Sequence, residues 1–149
     1  MLELTEEITK LTEPDNKAII RHYFEKIVNT GSVKKLNEFV AEDAVDHNFG
    51  TDTPQGLEGF KQHLLAVYTT YGNFHVTIED QIADGDMVVT RVPARGIHKS
   101  EWLGLPPSLR EIVISGINID RLKSGKIIEH WGEANTIGSL FQMDAKIVP

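Results

Sequence analysis

The side chains best suited to chemistry fall at a few places along the chain. Asp46-His47-Asn48 groups three polar side chains, of which His47 and Asn48 could approach a ligand. His98 follows a valine-rich run, and an imidazole with an ordinary pKa of about 6.5 serves as acid or base at neutral pH. Arg91 stands among Val88, Val89 and Val92, where a guanidinium needs a carboxylate or a ligand anion, and Arg95 shares its parity. Tyr23 carries a hydroxyl that could donate to an oxyanion. Each has a plainer role beside the chemical one. Asp46 and Asn48 make turns. His98 suits a sheet surface, and Arg91 suits an ion pair with Glu129, Glu133 or another nearby acid. Tyr23 suits core packing, as Tyr68 and Tyr71 do.

Other chemistries are excluded or unsupported. The chain has no cysteine, which removes disulfides, thiolate nucleophiles and Cys-ligated zinc or iron–sulfur centres. There is no HExxH, and no other His/Asp/Glu spacing makes a metal site. The glycines at 50–59 lack the phosphate-loop and dinucleotide fingerprints, and Ser115 and Ser139 lack a nucleophile elbow. With 15 Lys and Arg against 22 Asp and Glu, the net charge of −7 opposes nucleic acid or an anionic membrane as partner. The acidic, polar N-terminus does not read as a secretory signal, and no apolar run approaches the ~18–20 residues of a membrane span. The expectation is a cytoplasmic protein whose partner is a small molecule.

These residues need a scaffold, and 149 residues without a linker or repeat suit one domain over 1–149. Pro14 suits a helix start. Ile20, Tyr23, Phe24, Ile27 and Val28 then form one apolar stripe. Gly31 ends that helix, and Ser32 is placed to cap a second one carrying Val33, Leu36 and Val40 inward. A short strand is expected near residues 44–47. A third helix holds Phe60, Leu64, Val67, Tyr68 and Tyr71. The second half reads as four strands, over residues 73–83, 87–99, 110–121 and 126–135, followed by a short helix over 136–143. Pro93 and Gly116 are expected to bend the strands, and Pro106-Pro107 marks a loop. Helices followed by sequential strands on short connections indicate α+β with an antiparallel sheet. Its exposed face, rich in Ile and Val, predicts a homodimer through the sheet.

Residues 16–48, NKAIIRHYFEKIVNTGSVKKLNEFVAEDAVDHN, together with GLEGFKQHL and the long stretch from Val88 to Gln142, resemble the SnoaL-like polyketide cyclases of the NTF2-like superfamily. An arginine in the second strand, then a histidine, then a GKI-x-EHW signature occur in the family's order. The resemblance covers about residues 14–142. It implies an open cone, with a strongly curved sheet wrapped around the N-terminal helices and a pocket at the wide end. It also implies intramolecular aldol ring closure of a polyketide ester without metal or organic cofactor. In that reaction an acid–base carboxylate near the end of the last strand removes a C–H proton.

That carboxylate position matches Asn135, which cannot take up a proton at neutral pH and which also suits the N-cap of the last helix. His98 matches the family's strand histidine. Alternation puts Ile127, Glu129, Trp131, Glu133 and Asn135 on one face. The signature Trp131 and the acid position share that parity, so this face is expected to line the pocket. Glu133 is then the nearest carboxylate to replace the missing acid, unless it is a solvated strand residue. The expected catalytic set is therefore His98, Glu133 and Asn135, with proton transfer shared by His98 and Glu133 while Asn135 and Arg91 hold or polarise oxygen. Tyr23, His47, Asn48, Arg91, Trp102 and Trp131 are the expected ligand contacts, with Trp102 beside an apolar loop that could lid the cavity. Isomerisation, dehydration or hydrolysis would use the same parts, and a binding module would keep the pocket without the reaction.

Overall fold

The computed structural model describes residues 15–48 and 50–148; Pro14 and the N-terminal segment before it lie outside them. The chain forms α1 (Asn16–Tyr23), a π-helical turn (Phe24–Val28), a 3₁₀ helix (Val33–Glu38), β1 (Val40–Asp46) and α2 (Leu57–Thr70). Then follow β2 (Tyr71–Val76), β3 (Asp80–Asp84), β4 (Met87–Arg91), β5 (Ala94–His98), β6 (Glu111–Ile114), β7 (Gly116–Lys123), β8 (Lys126–Ala134) and α3 (Thr136–Gln142).

Asp15 starts α1, its Oδ1 accepting from the backbone N–H groups of Lys17 and Ala18 at 3.1 and 3.4 Å. The apolar stripe packs as its spacing predicts, with Ile20, Phe24 and Ile27 buried and Tyr23 and Val28 against them. Ser32 makes no capping bond; its hydroxyl lies 2.7 Å from that of Thr30, and the second helix is a 3₁₀ turn. Tyr71 is not helical. Its extended backbone opens β2, so α2 ends one residue earlier.

The strands form a five-stranded sheet, β1-β8-β7-β4-β3, and a three-stranded sheet, β2-β5-β6. All pairs are antiparallel except β1 with β8, which is parallel. Each of the first three long strands expected from the sequence is two strands, one in each sheet. Residues 87–99 break at Val92-Pro93, where Pro93 has no N–H for the ladder, and residues 110–121 break at Ser115. Irregular bonds carry the pairing around the corner: Val92 N–H to Gly116 O at 2.8 Å, and Thr77 N–H to Pro93 O at 3.0 Å. The chain therefore curls around α1 and α2 without a free edge at the bend.

The parity expected along β8 is corrected by a bulge. Glu129 pairs with Arg121, but Ile127 pairs with Leu122, which leaves Ile128 unopposed. Ile127 faces the core and is fully buried. Past the bulge it is His130, Gly132 and Ala134, not Trp131 and its parity mates, that face the helices. The core joins Ile20, Ile27, Leu36, Val40, Val88, Leu122 and Ile127 beneath that face. Among the described residues no helix is long and apolar enough to cross a membrane.

Gly56 closes the entry to α2 with φ at 79°, and a Cβ there would lie 2.5 Å from the carbonyl oxygen of Glu42. Both the backbone conformation and the contact exclude a side chain. Gly56→Ala is expected to cost at least about 2 kcal/mol in urea unfolding.

Candidate functional site

The curl of the sheet leaves a cavity of about 480 Å³ between its inner face, α1 with the π-helical turn, and α2. The inner face of the β7–β8 hairpin explains why space remains there. Its successive cross-strand pairs are Asp120 with His130, Asn118 with Gly132, and Gly116 with Ala134. Side-chain bulk falls along this series, so the hairpin is filled at the polar end and open beyond it. Phe24, Val28, Leu64, Val67, Phe74, Val76, Val92 and Ile114 form apolar walls, and Thr136 and Ser139 of α3 also line the cavity.

At the polar end Asp46, His130 and Asp120 are direct neighbours on three adjacent strands, β1, β8 and β7. His130 Nδ1 lies 2.6 Å from Asp120 Oδ1. An ionised carboxylate only accepts, so Nδ1 carries the proton and Nε2 is left for the cavity. Asp120 is 1% exposed and does not line the cavity; it stands behind His130. Burial alone would lower the pKa of His130. The Asp120 hydrogen bond and charge, with the Asp46 charge, outweigh it and raise the pKa above the usual imidazole value. His63 of α2 also lines the cavity and keeps access to solvent through its mouth. The protein mass around its ring displaces bulk water, and this lowers its pKa; Asp46 opposes the shift and His130 adds to it. Two histidines of one cavity are thus driven apart, His130 toward the imidazolium and His63 toward the neutral base. Burial, with the Asp120 and Asp46 charges, pushes the Tyr23 hydroxyl far above its ordinary pKa, so it remains a donor.

The end of β1 is held tightly. The Gln55 side chain accepts from Asp46 N–H at 2.9 Å and donates to Asp46 O at 3.0 Å. Asp46 Oδ1 accepts from Asn48 N–H at 2.7 Å. The Asn48 amide then donates to Gly132 O at 2.5 Å and accepts from Gly132 N–H at 2.6 Å, continuing the β1–β8 pairing with a side chain.

Of the residues expected from the sequence, Tyr23, Asn48, Trp102 and Glu133 border the cavity. His98 does not. It is fully buried, and its Nδ1 accepts from Ser108 N–H at 3.1 Å, pinning the loop that carries Trp102. Asn135 caps α3, its Oδ1 accepting from Gly138 N–H at 2.9 Å, and it lies outside the cavity lining. Arg91 is an exposed residue bonded to Asp80 at 2.7 Å and to Glu79, not to Glu129 or Glu133. Trp131 lies on the outer face, stacked on His47 with ring centres 4.6 Å apart, and His47 Nε2 lies 3.0 Å from Glu129. Arg95 is exposed on β5. The chemical centre missed by reading residues singly is Asp120, His130, His63 and Asn118. The turn gave no signal for it: its register sets Lys123 opposite Lys126 and Leu122 opposite Ile127, which would place Glu129 opposite Asp120, and only the Ile128 bulge brings His130 there.

A family model described as SnoaL-like polyketide cyclase matches residues 18–143. IdmH of Streptomyces antibioticus, provisionally assigned as a polyketide cyclase, is 28% identical, with 89% of this chain and 100% of that one covered at a TM-score of 0.77. A provisionally assigned polyketide cyclase of Bacillus cereus is 26% identical over 85% of this chain and 78% of its own, with a TM-score of 0.72. AclR of Streptomyces galilaeus, provisionally assigned as a hydroxylase, is 18% identical over 90% and 88% at a TM-score of 0.75, a likeness of fold. Among curated proteins none matches.

The raised pKa of His130 makes its pairing stabilising below the unfolded value of about 6.5, and that stabilisation is lost as pH rises through the higher folded value. Histidine NMR titration is expected to place His130 above, and His63 below, an unstructured histidine. In Asp120→Asn the His130 pKa is expected to fall, because burial then acts with less opposition.

Proposed function

Because the chain belongs to the SnoaL-like polyketide cyclase family, we propose that it is an acid–base enzyme acting on a small, largely apolar carbonyl compound by aldol-type ring closure. The observation that carries this reading is the Asp120–His130 pair facing His63 at one end of an apolar cavity. Neutral His63 takes the proton from a carbon next to a carbonyl. The His130 imidazolium, oriented by Asp120, and the Tyr23 hydroxyl donate to the enolate oxygen that develops. The carbanion carbon attacks a second carbonyl of the same molecule, and the resulting alkoxide takes its proton from His130. The proton held by His63 then returns through solvent water to His130, which restores both histidines. The apolar walls favour a folded conformation of the bound chain.

A neutral aryl β-keto ester panel tests this. Incubation in deuterium oxide, with mass spectrometry of recovered and ring-closed compounds, is expected to show catalysed exchange at the acidic carbon. His130→Ala and His63→Ala are each expected to lower the rate ~10²–10⁴-fold. Binding without exchange by the unaltered protein would leave a non-catalytic small-molecule carrier.

The protein is further proposed to act as a homodimer through the outer sheet face. Ile82, Val89, Ile119 and Trp131 are successive cross-strand neighbours there and form one apolar row across four strands. The row runs between Arg91 with Glu79 and Asp80 and Arg121 with Asp86 and Glu129, so both signs of charge flank it and a two-fold partner can match them. Light scattering is expected to give a dimer, and Ile119→Lys a folded monomer.

A further inference from the structure

Gly132 lies on the inner face of β8, with its neighbours' polar atoms turned toward the place its side chain would take. A Cβ there would stand 3.1 Å from His130 Nε2, 3.1 Å from Asn118 Oδ1 and 3.7 Å from Asn48 Oδ1. Asn48 is committed to the Gly132 backbone. The other two are not: among the described residues neither His130 Nε2 nor the Asn118 amide makes a hydrogen bond. The recess opens into the cavity, since Asn118, His130 and Gly132 all line it.

We propose that the recess over Gly132 is an oxygen subsite, which seats the carbonyl or enolate oxygen of the ligand between His130 Nε2 and the Asn118 amide. The geometry agrees with the role. The two polar groups each lie 3.1 Å from the Cβ position and so flank the open face of the Gly132 Cα, where an oxygen resting against that Cα is approached by both. Rotation of the Asn118 side-chain amide by half a turn presents its NH₂, so both partners donate. A Cβ at 132 would stand between the Cα and that oxygen and hold it away from both donors. The absence of a side chain is therefore the functional feature, and the donors come from β7 and from two residues earlier on β8. Asp120, by fixing His130 Nδ1, aims Nε2 into the recess and acts as a positioning residue. This assignment rests on the acid–base reading for the reaction that the bound oxygen undergoes, but binding itself can be measured apart from turnover.

The probe is 4-nitrophenol, a small aryl oxyanion whose colour reports its own protonation. Titration of the full chain near neutral pH is expected to show saturable binding as the phenolate, with a shift in the His130 NMR signal. Gly132→Ala keeps ordinary strand backbone and meets only the ends of two side chains, so it is expected to fold. It is expected to weaken binding at least about tenfold, the loss of a hydrogen bond to a charged partner. Asn118→Ala, which removes a donor while keeping the space, is expected to weaken it similarly. Equal affinity in Gly132→Ala and unaltered protein, or no binding by the unaltered protein, overturns the subsite. Catalysed deuterium exchange with unchanged Gly132→Ala binding would sink the subsite alone. Phenolate binding lost in Gly132→Ala, with no exchange by the unaltered protein, would uphold the subsite and sink the acid–base reading.

Discussion

The ionic hydrogen bond between Asp120 and His130 constrains everything around it. A carboxylate that is 1% exposed costs several kcal/mol to desolvate unless a charged partner and hydrogen bonds replace the water. His130 is that partner, and it reaches Asp120 only if β7 and β8 pair in one register and β8 turns its parity at the Ile128 bulge. A one-residue slip would send His130 to the outer face and leave Asp120 unpaired in the core. Register, bulge and site are therefore one choice. Asp46 adds the third member across the parallel β1–β8 edge, and the Gln55 and Asn48 side chains hold that edge where its backbone pairing runs out.

The same hairpin decides the shape of the cavity. Its inner residues pass from Asp120 and His130 to Asn118 and Gly132, then to Gly116 and Ala134. Polarity and bulk decline together along this line, so ionisable groups lie at the filled end and apolar wall begins where space opens. The bends at Pro93 and Ser115 curl the sheet away from α2, and without them the helices would settle onto the strands and close that space. The π-helical turn brings Phe24 and Val28 to the cavity wall, and Trp102 lines the cavity from its loop. The loop is fixed by His98, whose role is structural support.

The two faces of the sheet carry different residues. The inner face carries the histidine–carboxylate centre. The outer face carries the apolar row from Ile82 to Trp131 and compact ion pairs on Arg91 and Arg121. Trp131 and His130 are adjacent in sequence yet serve opposite faces. His47 went with Trp131, by stacking, while Asp46 and Asn48 beside it serve the cavity. Adjacency in sequence was thus a poor guide to membership in the site.

Much of the scaffold was legible without coordinates. The helical stripe of Ile20, Phe24 and Ile27, the end of the first helix at Gly31, the strand bends at Pro93 and Gly116, and Asn135 before the last helix follow from local rules of periodicity, backbone freedom and capping. The likeness to SnoaL-like cyclases was carried by residues along the chain and is supported by the family match. What tertiary structure alone decided was which side of β8 faces the helices. Strict alternation from Ile127 selects Trp131, and a single unpaired residue, Ile128, sends it to the outer face and turns His130 inward. A bulge is a property of two strands aligned against each other, and no window along one strand contains it. The sequence by itself determined the parts and the bends; the long-range register decided which of those parts meet in the cavity.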